Sequence, residues 1–491
     1  MKQLLEQTAL ELGAAIRRGE VSIPEVTEAA LEAVTLREGA LNSFITTAPE
    51  QARKRAEELQ AHLKEADSPL YGVPMMLKDN ICTKEMPTTC ASKILGNFVS
   101  PYEATVASRL AQAGSVLLGK GNMDEFAMGS TTETSYYGPT RNPWDLQRVP
   151  GGSSGGAAAA VAGRECWFAI GSDTGGSIRQ PAAYCGVTGI KPTYGTVSRY
   201  GLVAYASSLD QIGPLARSAA DCAAILDVIQ GRDLRDSTSL DVPAGGLLAS
   251  LTGDVRGMKI GLPRQCFGAG LEEEVERGVR GAAEVLKSRG AQLVELDFPV
   301  MDYVVPTYYM IAAAEASSNL ARFDGVKYGW RAEEFEDLTE LYCATRTQGF
   351  GREVKRRILL GSFVLSSGYY DAYYKKALQA KAVIQRAFQE AFAQCHLLLT
   401  PVAPTTAPKL GASLDDPLQM YLSDIDTVSV NLAGLPGLSM PCGFDKKGLP
   451  IGCQLIGPAL GEARVLGAAH AFQLDTDYHK QSPWKKEGEE V

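Results

Sequence analysis

The chain has 491 residues, of which 45% are hydrophobic and 21% are charged, a balance that excludes disordered and fibrous classes. Its 48 Lys and Arg against 57 Asp and Glu give a net charge of −9. Such a chain is by itself a poor binder of a phosphate backbone, so any nucleic acid that matters is expected on another subunit.

No stretch reaches the ~20 consecutive apolar residues that a membrane span requires. Glu6 and Glu11 interrupt what would be the apolar region of a secretory signal, so none is expected. The ten cysteines are scattered without a C-x-x-C pair. This spacing favours buried or idle thiols of a cytoplasmic protein over a zinc site or a disulfide framework.

In chain order, residues 1–66 have helical patterns, and Ser22 followed by Pro24 is typical of a helix start. Short apolar runs then alternate with amphipathic patterns, which predicts an α/β fold with a mostly parallel, helix-covered sheet. The predicted strands are 75–77, 116–118, 167–170, 260–262, 293–296, 397–399 and 451–456. The predicted helices include 51–64, 104–113, 219–230, 271–289 and 377–393, and the helix-rich region 300–400 could be a cap or an insertion.

Residues 151–195 are dense in Gly, Ser, Thr and Ala. A strand-like WFAI and a helix-like AAAAVA interrupt the stretch, which a flexible linker would not contain. Glycine at this density lets backbone N–H groups approach a ligand or an oxyanion closely. Ser153 lies in a G-x-S-x-G match at 151–155, but the polar, Pro-broken residues before it argue against a nucleophile elbow.

Ser177 is the better nucleophile candidate, because it follows a strand-like run and Asp-Thr-Gly-Gly and precedes a predicted helix. The N–H groups of Thr174, Gly175, Gly176 and Ser177 could converge on an oxyanion, at roughly 3–4 kcal/mol per donor. The alternative interpretation is a helix-capping serine after a glycine turn. None of the four histidines neighbours this segment, so a Ser-His-Asp triad is not favoured.

A lysine is the available base. Lys78 follows the apolar run 73–77, and strand alternation would put Met76, Lys78 and Asn80 on one face. A neutral lysine at pH 7 requires its pKa to fall by roughly three units, about 4 kcal/mol, which burial can supply. The alternative is an exposed Lys-Asp pair at a strand end.

Together, Lys78, Ser153 and Ser177 resemble the catalytic set of the amidase signature family, and residues 150–156, 171–186 and 189–201 resemble its Gly/Ser-rich signature. The resemblance implies one α/β/α domain over 1–475 with a large mixed sheet. That domain would comprise a helical segment at 1–66, a catalytic core at 70–220 and a helix-rich region at 300–395, followed by a polar tail at 476–491.

The resemblance also implies roles. Ser177 would be the acylated nucleophile, Ser153 would relay the proton, and Lys78 would be the neutral base. Thr174, Gly175, Gly176 and Ser177 would form the oxyanion hole. The reaction would pass an acyl group from an amide to serine and then to water.

Within the family, residues 121–145, 200–218, 354–361 and 420–441 resemble the glutaminase subunits of tRNA-dependent ligases of protein biosynthesis. In that branch, ammonia from glutamine passes to a partner, the B subunit, in a heterotrimer that also contains a C subunit. The B subunit uses ATP and magnesium to activate mischarged tRNA. The resemblance thus implies no cofactor and no metal in this chain, which agrees with its lack of a P-loop and of a G-x-G-x-x-G fingerprint after a strand.

The resemblance points to Arg357 as the clamp for the glutamine carboxylate, Asp424 as the partner of its ammonium, and Tyr308 as a lining residue. Alternatively, Arg357 could lie on a solvated helix face and Asp424 could cap a helix. Asp426 departs from the apolar or aromatic residue that the family more often has. A stand-alone amidase of another small amide and a non-catalytic scaffold remain the competing functions.

Overall fold

The computed structural model describes residues 2–268, 270–412, 420–421 and 423–484. Within them, eleven strands form one sheet, in the order β1-β3-β2-β4-β6-β5-β10-β11-β9-β7-β8 when numbered along the chain. The strands are β1 (Phe44–Thr47), β2 (Pro74–Lys78), β3 (Val116–Gly121), β4 (Phe168–Asp173), β5 (Thr188–Lys191), β6 (Gln211–Ala216), β7 (Lys259–Pro263), β8 (Gln292–Leu296), β9 (Leu397–Pro401), β10 (Gly437–Phe444) and β11 (Pro450–Ile456).

Fifteen α-helices lie in the same described residues and cover the sheet. They are α1 (Lys2–Leu5), α2 (Ala9–Arg17), α3 (Ile23–Leu41), α4 (Pro49–Ala61), α5 (Thr105–Gln112), α6 (Gly155–Ala162), α7 (Arg179–Cys185), α8 (Ala219–Ile229), α9 (Glu273–Ser288), α10 (Met301–Asn319), α11 (Leu338–Gly349), α12 (Arg352–Val364), α13 (Lys375–Phe392), α14 (Ile425–Ala433) and α15 (Glu462–Asp475). Ser22 caps α3 with Pro24 in its first turn, as predicted.

The sheet is mixed. Parallel pairs occur in two groups, β3-β2-β4 and β9-β7-β8, and antiparallel pairs join the other neighbours. The prediction of a mostly parallel sheet from the alternation pattern is therefore wrong, whereas the large mixed sheet implied by the family resemblance is confirmed. An apolar run specifies burial, but it does not specify the direction of the neighbouring strand.

All seven predicted apolar runs lie in or overlap strands, and four strands were missed. Strand β1 interrupts the region 1–66 that was predicted to be helical, and it pairs at the sheet edge with β3. Strands β5, β6 and β10 contain Gly, Pro, Ser and Thr, which are turn-forming or weakly apolar residues that hide the pattern.

The described residues contain no helix that combines the length and the apolarity needed to cross a membrane. All ten cysteines lie in the described residues and are free, and nine of them are buried. The prediction of unpaired, mostly buried thiols is confirmed.

Helix α6 packs so closely against the segment that follows β3 that there is no room for a side chain at Gly156. A Cβ there would lie 2.5 Å from Asn122 O and 2.6 Å from Asn122 N, which are backbone atoms that cannot move independently. We expect Gly156→Ala to lower the free energy of unfolding by about 1–3 kcal/mol or more. Denaturant unfolding measures this change.

Gly281→Ala is the matched control, because Gly281 lies in α9 with no atom within 4 Å of its added Cβ. Removing a helical glycine there should stabilise the protein by roughly 0.5–1 kcal/mol. Equal effects of the two variants would contradict the packing seen at α6.

Candidate active site

Lys78 is the last residue of β2, which lies between β3 and β4 near the middle of one half of the sheet. Its side chain is fully buried. The amine donates to Ser153 Oγ at 2.7 Å and to the Ser172 carbonyl at 3.3 Å. Asp79 is buried as well, so the alternative of an exposed Lys-Asp pair at a strand end is wrong.

Burial lowers the pKa of Lys78 to about 7, although Asp124, Asp173 and Asp210 favour its charged form. A substantial fraction of the amine is therefore neutral at neutral pH, and a neutral amine can accept a proton. This state is what base catalysis by lysine requires.

A lowered pKa does not by itself identify the base, because burial also lowers the pKa of Lys191 to about 7. The two amines differ in their partners. Lys191 donates to the carbonyls of Pro192 and Leu435, which cannot exchange a proton with it. Lys78 contacts the Ser153 hydroxyl, which can exchange a proton with the amine.

Ser153 follows a cis peptide bond at Gly152–Ser153 and is fully buried. The Gly152 N–H donates to Gln180 Oε1 at 2.9 Å, and the Ser153 carbonyl accepts from the Asp124 N–H at 3.2 Å. Both bonds tie this turn to neighbouring segments. They hold the Ser153 hydroxyl beside Lys78.

Ser177 lies on the loop between β4 and α7, with 7% of its surface exposed. The Ser154 N–H donates to the Ser177 carbonyl at 3.1 Å, which places the loop against the Ser153 turn. Within the described residues, the Ser177 hydroxyl has no hydrogen-bond partner, so no direct bond joins it to Ser153. It also does not cap α7, whose cap position is Ile178 without a side-chain bond.

The predicted oxyanion donors on this loop fall into two groups, according to whether the N–H is already hydrogen-bonded. The Gly176 N–H donates to Asp173 Oδ1 at 2.8 Å and is thus engaged. The N–H groups of Thr174, Gly175 and Ser177 bond to no other segment of the described chain. In this structure the Gly176 N–H is therefore already engaged, whereas the other three N–H groups have no partner among the described residues.

An ion pair that the sequence analysis did not single out holds the loop. Arg179 donates to both oxygens of Asp173 at 3.0 Å, and both side chains are fully buried. Asp173 also accepts from the Ile178 N–H at 3.1 Å. Burial opposes the charge of Asp173, but Arg179 outweighs it and keeps the pKa of Asp173 below its usual range. Asp173 thus fixes the N–H on either side of Ser177.

Arg357 lies on α12 with its guanidinium buried, so the alternative of a solvated helix face is wrong for this residue. Its Nε donates to Glu353 Oε1 at 2.8 Å, and Nη1 donates to the Tyr205 hydroxyl at 2.5 Å. The rings of Tyr205, Tyr309 and Tyr421 surround it at 5.1–5.6 Å from their centroids. Nη2 donates to none of the described residues.

Asp424 is also buried, and it precedes α14 without forming a side-chain cap bond, so the helix-cap alternative is not seen. Its carboxylate accepts from Ser130 Oγ at 2.8 Å and from the Tyr309 hydroxyl at 3.0 Å. Burial raises the pKa of Asp424 to about 7 against these two donors. The contacting tyrosine is Tyr309, the neighbour of the predicted Tyr308.

Tyr308 instead packs on the Ser177 loop. A Cβ on Gly175 would lie 2.5 Å from the Tyr308 ring, so any larger residue there would displace Tyr308. Thr427 Oγ1 lies 2.6 Å from the Gly175 carbonyl oxygen and 3.0 Å from the Asp424 carbonyl oxygen, and its single proton can be donated to either. Tyr308, Tyr309 and Thr427 therefore connect the Ser177 loop to the two charged residues, Arg357 and Asp424.

Asp426, the residue that departs from the family pattern, is buried on α14. Burial raises the pKa of its carboxyl to about 7, and Cys266 is its neighbour. Its carbonyl accepts from Gln454 Nε2 at 3.0 Å, so the local helix is held by the same Gln454 that contacts Arg179. Across the described residues, no three His, Cys, Asp or Glu side chains form a metal-ligating group.

Comparisons with known proteins show what the whole chain is similar to. The family model described as Amidase matches residues 25–466. The A subunit of glutamyl-tRNA(Gln) amidotransferase from Lachnospira eligens is 59% identical over 472 residues, covering 96% of this chain and 98% of that protein. The A subunit from Moorella thermoacetica is 55% identical over 483 residues, 98% and 99% of the two chains. The crystal structure of the A subunit from Thermotoga maritima has a TM-score of 0.79 at 40% identity and covers 98% of this chain and 96% of that one.

Proposed function

Because this chain belongs to the amidase family, we propose that it hydrolyses glutamine as the A subunit of a glutamyl-tRNA(Gln) amidotransferase. One observation carries the proposal. A buried lysine amine contacts Ser153, and the adjacent Ser177 loop is joined through α10 and Thr427 to a buried Arg357 and Asp424. A neutral base and a pair of opposite charges are what the side-chain amide and the zwitterionic end of glutamine require.

The chemistry starts from the neutral form of Lys78. As Ser177 attacks the amide carbon, its proton passes to Ser153, and Ser153 passes its own proton to the neutral amine of Lys78. The N–H groups of Thr174, Gly175 and Ser177 stabilise the oxyanion, with Gly176 held in place by Asp173. The C–N bond then breaks, and Lys78 returns the proton through Ser153 to the leaving nitrogen, which departs as ammonia. Water then hydrolyses the acyl-serine, which releases glutamate and restores the Ser177 hydroxyl.

Substrate binding follows from charge. Arg357 has Nη2 available for the α-carboxylate, because its other bonds go to Glu353 and Tyr205. Asp424 accepts the α-ammonium, whose charge favours the ionised carboxylate. Tyr308 lines the space between them and Gly175.

The remaining steps of the reaction are assigned to partners. The ammonia passes to the B subunit of a cytoplasmic heterotrimer that also contains the C subunit, and ATP and magnesium serve there to amidate the glutamate on mischarged tRNA. The net charge of −9 supports leaving most tRNA contacts to those partners. In this chain, residues 1–475 form the amidase-signature domain with its catalytic core at 70–220, and 476–491 form the tail, of which 485–491 lie outside the described residues.

The test is co-purification with the B and C subunits, followed by amide formation on Glu-tRNA(Gln) with glutamine or ammonia as the nitrogen donor. Both donors should support the reaction, and glutamine should do so only when this chain is present. A chain that hydrolyses assorted small amides alone and ignores glutamine would be a stand-alone amidase. A chain without any covalent labelling at Ser177 by a glutamine-mimicking acylating agent would be a scaffold.

Arg357→Lys should raise the KM for glutamine by roughly 10–100-fold with a smaller effect on kcat. The planar guanidinium can donate to Glu353, Tyr205 and a carboxylate at the same time, and the ammonium of lysine cannot reproduce this geometry. Steady-state kinetics of ammonia release measures the change. Arg356→Lys is the matched control, because Arg356 pairs with the same Glu353 from a half-exposed position. Equal KM changes in the two variants would contradict the assignment of Arg357.

A further inference from the structure

Exposed large apolar side chains are concentrated in one region of the chain. Of the 21 in the described residues, twelve lie between residues 303 and 383. Four of these, Leu359, Phe363, Tyr369 and Tyr373, are 40–71% exposed and form what we call the aromatic patch. Leu359 and Phe363 are four residues apart on α12 and share a helix face.

The three rings of the aromatic patch contact one another on the surface. Phe363 lies 4.4 Å from Tyr369 and 5.8 Å from Tyr373, and the two tyrosines are 5.9 Å apart, measured between ring centroids. Single exposed apolar residues are ordinary, but a cluster of exposed rings marks an interaction surface. Aromatic residues are enriched at the buried centre of protein–protein interfaces, and the rim around that centre is polar.

The segment that bears the patch has a net positive charge, although its Arg357 is buried, whereas the rest of the chain is acidic. Residues 352–386 hold eight Lys or Arg against two acidic residues, whereas the other residues hold 40 against 55. Lys375 and Lys376 closely follow Tyr373 and are exposed. Only Lys375 has an acidic partner in the described residues, the exposed Asp371 at 3.4 Å.

Helix α12 connects the patch to the substrate residues. It directs Arg357 into the core, while Leu359 and Phe363 face solvent. At Gly361 the helix approaches α10 so closely that an added Cβ would overlap the Ala313 carbonyl, and α10 also bears Tyr308 and Tyr309. A partner on the patch would thus lie about one helix diameter, roughly 10 Å, from the proposed pocket.

We propose that the aromatic patch, together with Lys375 and Lys376, is a docking surface for a protein partner that presents an acidic and apolar face. The charge reversal identifies the chemistry of the occupant, and the contacting rings supply the buried apolar centre. RNA is the poorer occupant, because a long polyanion would also meet the acidic remainder of the chain. That this partner is the B or the C subunit rests on the proposed function.

The test compares the affinity of the full chain and of two variants for the purified B and C subunits, measured by calorimetry at low and at high salt. Phe363→Ala combined with Tyr373→Ala should weaken binding at least about tenfold, since truncated aromatic anchors have effects of that size. Lys375→Glu combined with Lys376→Glu should weaken binding at low salt and reduce its salt dependence. Glutamine hydrolysis by the free chain should be unchanged in both.

Two matched controls lie away from the patch. Leu234→Ala removes a side chain that is 87% exposed, and Lys446→Glu with Lys447→Glu reverses an exposed adjacent pair. Neither should change the affinity for the two partners. An equal loss in controls and patch variants would overturn the docking surface.

Other outcomes are equally decisive. Unchanged binding of both partners by both patch variants overturns the inference. A loss that is confined to tRNA binding also overturns it and would assign the patch to RNA. A loss that is confined to self-association overturns it as well and would assign the patch to a second copy of this chain. If the unmodified chain binds neither partner, the proposed function fails and this inference with it. Normal assembly of the unmodified chain and of both variants overturns the docking surface alone.

Discussion

Replacing Ser177 by alanine is expected to abolish glutamine-dependent amide formation, by about 10⁴-fold or more, because the covalent route through the acyl-serine is lost. The same variant should keep amide formation with added ammonia, since only the nitrogen source is removed. Parallel assays of the complex with the two donors measure both rates. The ammonia rate shows that the variant is folded and assembled.

Ser154→Ala is the matched control for Ser177→Ala. The Ser154 hydroxyl donates to the Ser172 carbonyl at 3.1 Å and forms no hydrogen bond with Lys78. We expect it to change the rate by less than about tenfold, the size of one neutral hydrogen bond. Retained glutaminase activity in Ser177→Ala would show that the nucleophile is another residue, and Ser153 would then be the next candidate.

The second large effect is expected at Lys78. Lys78→Arg should be inactive, at a loss of about 10³-fold or more, because a guanidinium does not give up its proton at neutral pH and general-base catalysis disappears. Ammonia release from glutamine measures the loss. Near-normal turnover would contradict the role of a neutral amine.

The unmodified enzyme provides an independent check through its pH dependence. Because burial lowers the pKa of Lys78 to about 7, the neutral fraction falls as the pH drops below that value. The value of kcat/KM for glutamine should therefore decline by up to about tenfold per pH unit on the acid side. A profile that stays flat from about pH 5.5 to 9 would contradict this assignment.

Lys78→Met separates folding from chemistry. The folded pKa of Lys78 lies below its unfolded value of 10.5, so the unfolded chain binds the proton more tightly. This difference destabilises the folded state fully below about pH 7, and the effect vanishes as the pH rises to 10.5. Lys78→Met should be inactive and, at neutral pH, more stable by roughly 1–4 kcal/mol, as found when buried charged groups are replaced by apolar ones.

The sequence carried the local features of this structure. Apolar runs located β2, β3, β4 and β9, and the Ser22 cap located the start of α3, because burial and capping leave a signal within a few residues. Strand direction has no such signal, so the sheet was predicted as mostly parallel. Strands such as β5 (TGIK) were missed because their burial comes from neighbours distant in the chain.

The residues of the site also differ in whether a local sequence pattern could predict them. The apolar run before Lys78 suggested it as the base, whereas only the family resemblance gave Ser153 a role. No local pattern indicated their contact, which spans 75 residues. Ser130 was not predicted, because its bond to Asp424 joins residues 294 positions apart. Tyr205 was missed for the same reason, as it meets Arg357 across 152 positions. The opposite charges of Asp173 and Arg179, which flank Ser177 within a few residues, were the one local signal for the ion pair that holds the loop.

The adjacent tyrosines of α10 have a consequence for selectivity. Tyr308 packs against Gly175 of the Ser177 loop, and the Tyr309 hydroxyl donates to Asp424, so two adjacent residues of α10 contact both ends of the proposed glutamine site. Asparagine is one methylene shorter than glutamine, and a missing methylene is worth about 10–200-fold in discrimination. Under the proposed function, the separation of these two contacts selects the donor by its length and favours glutamine over asparagine.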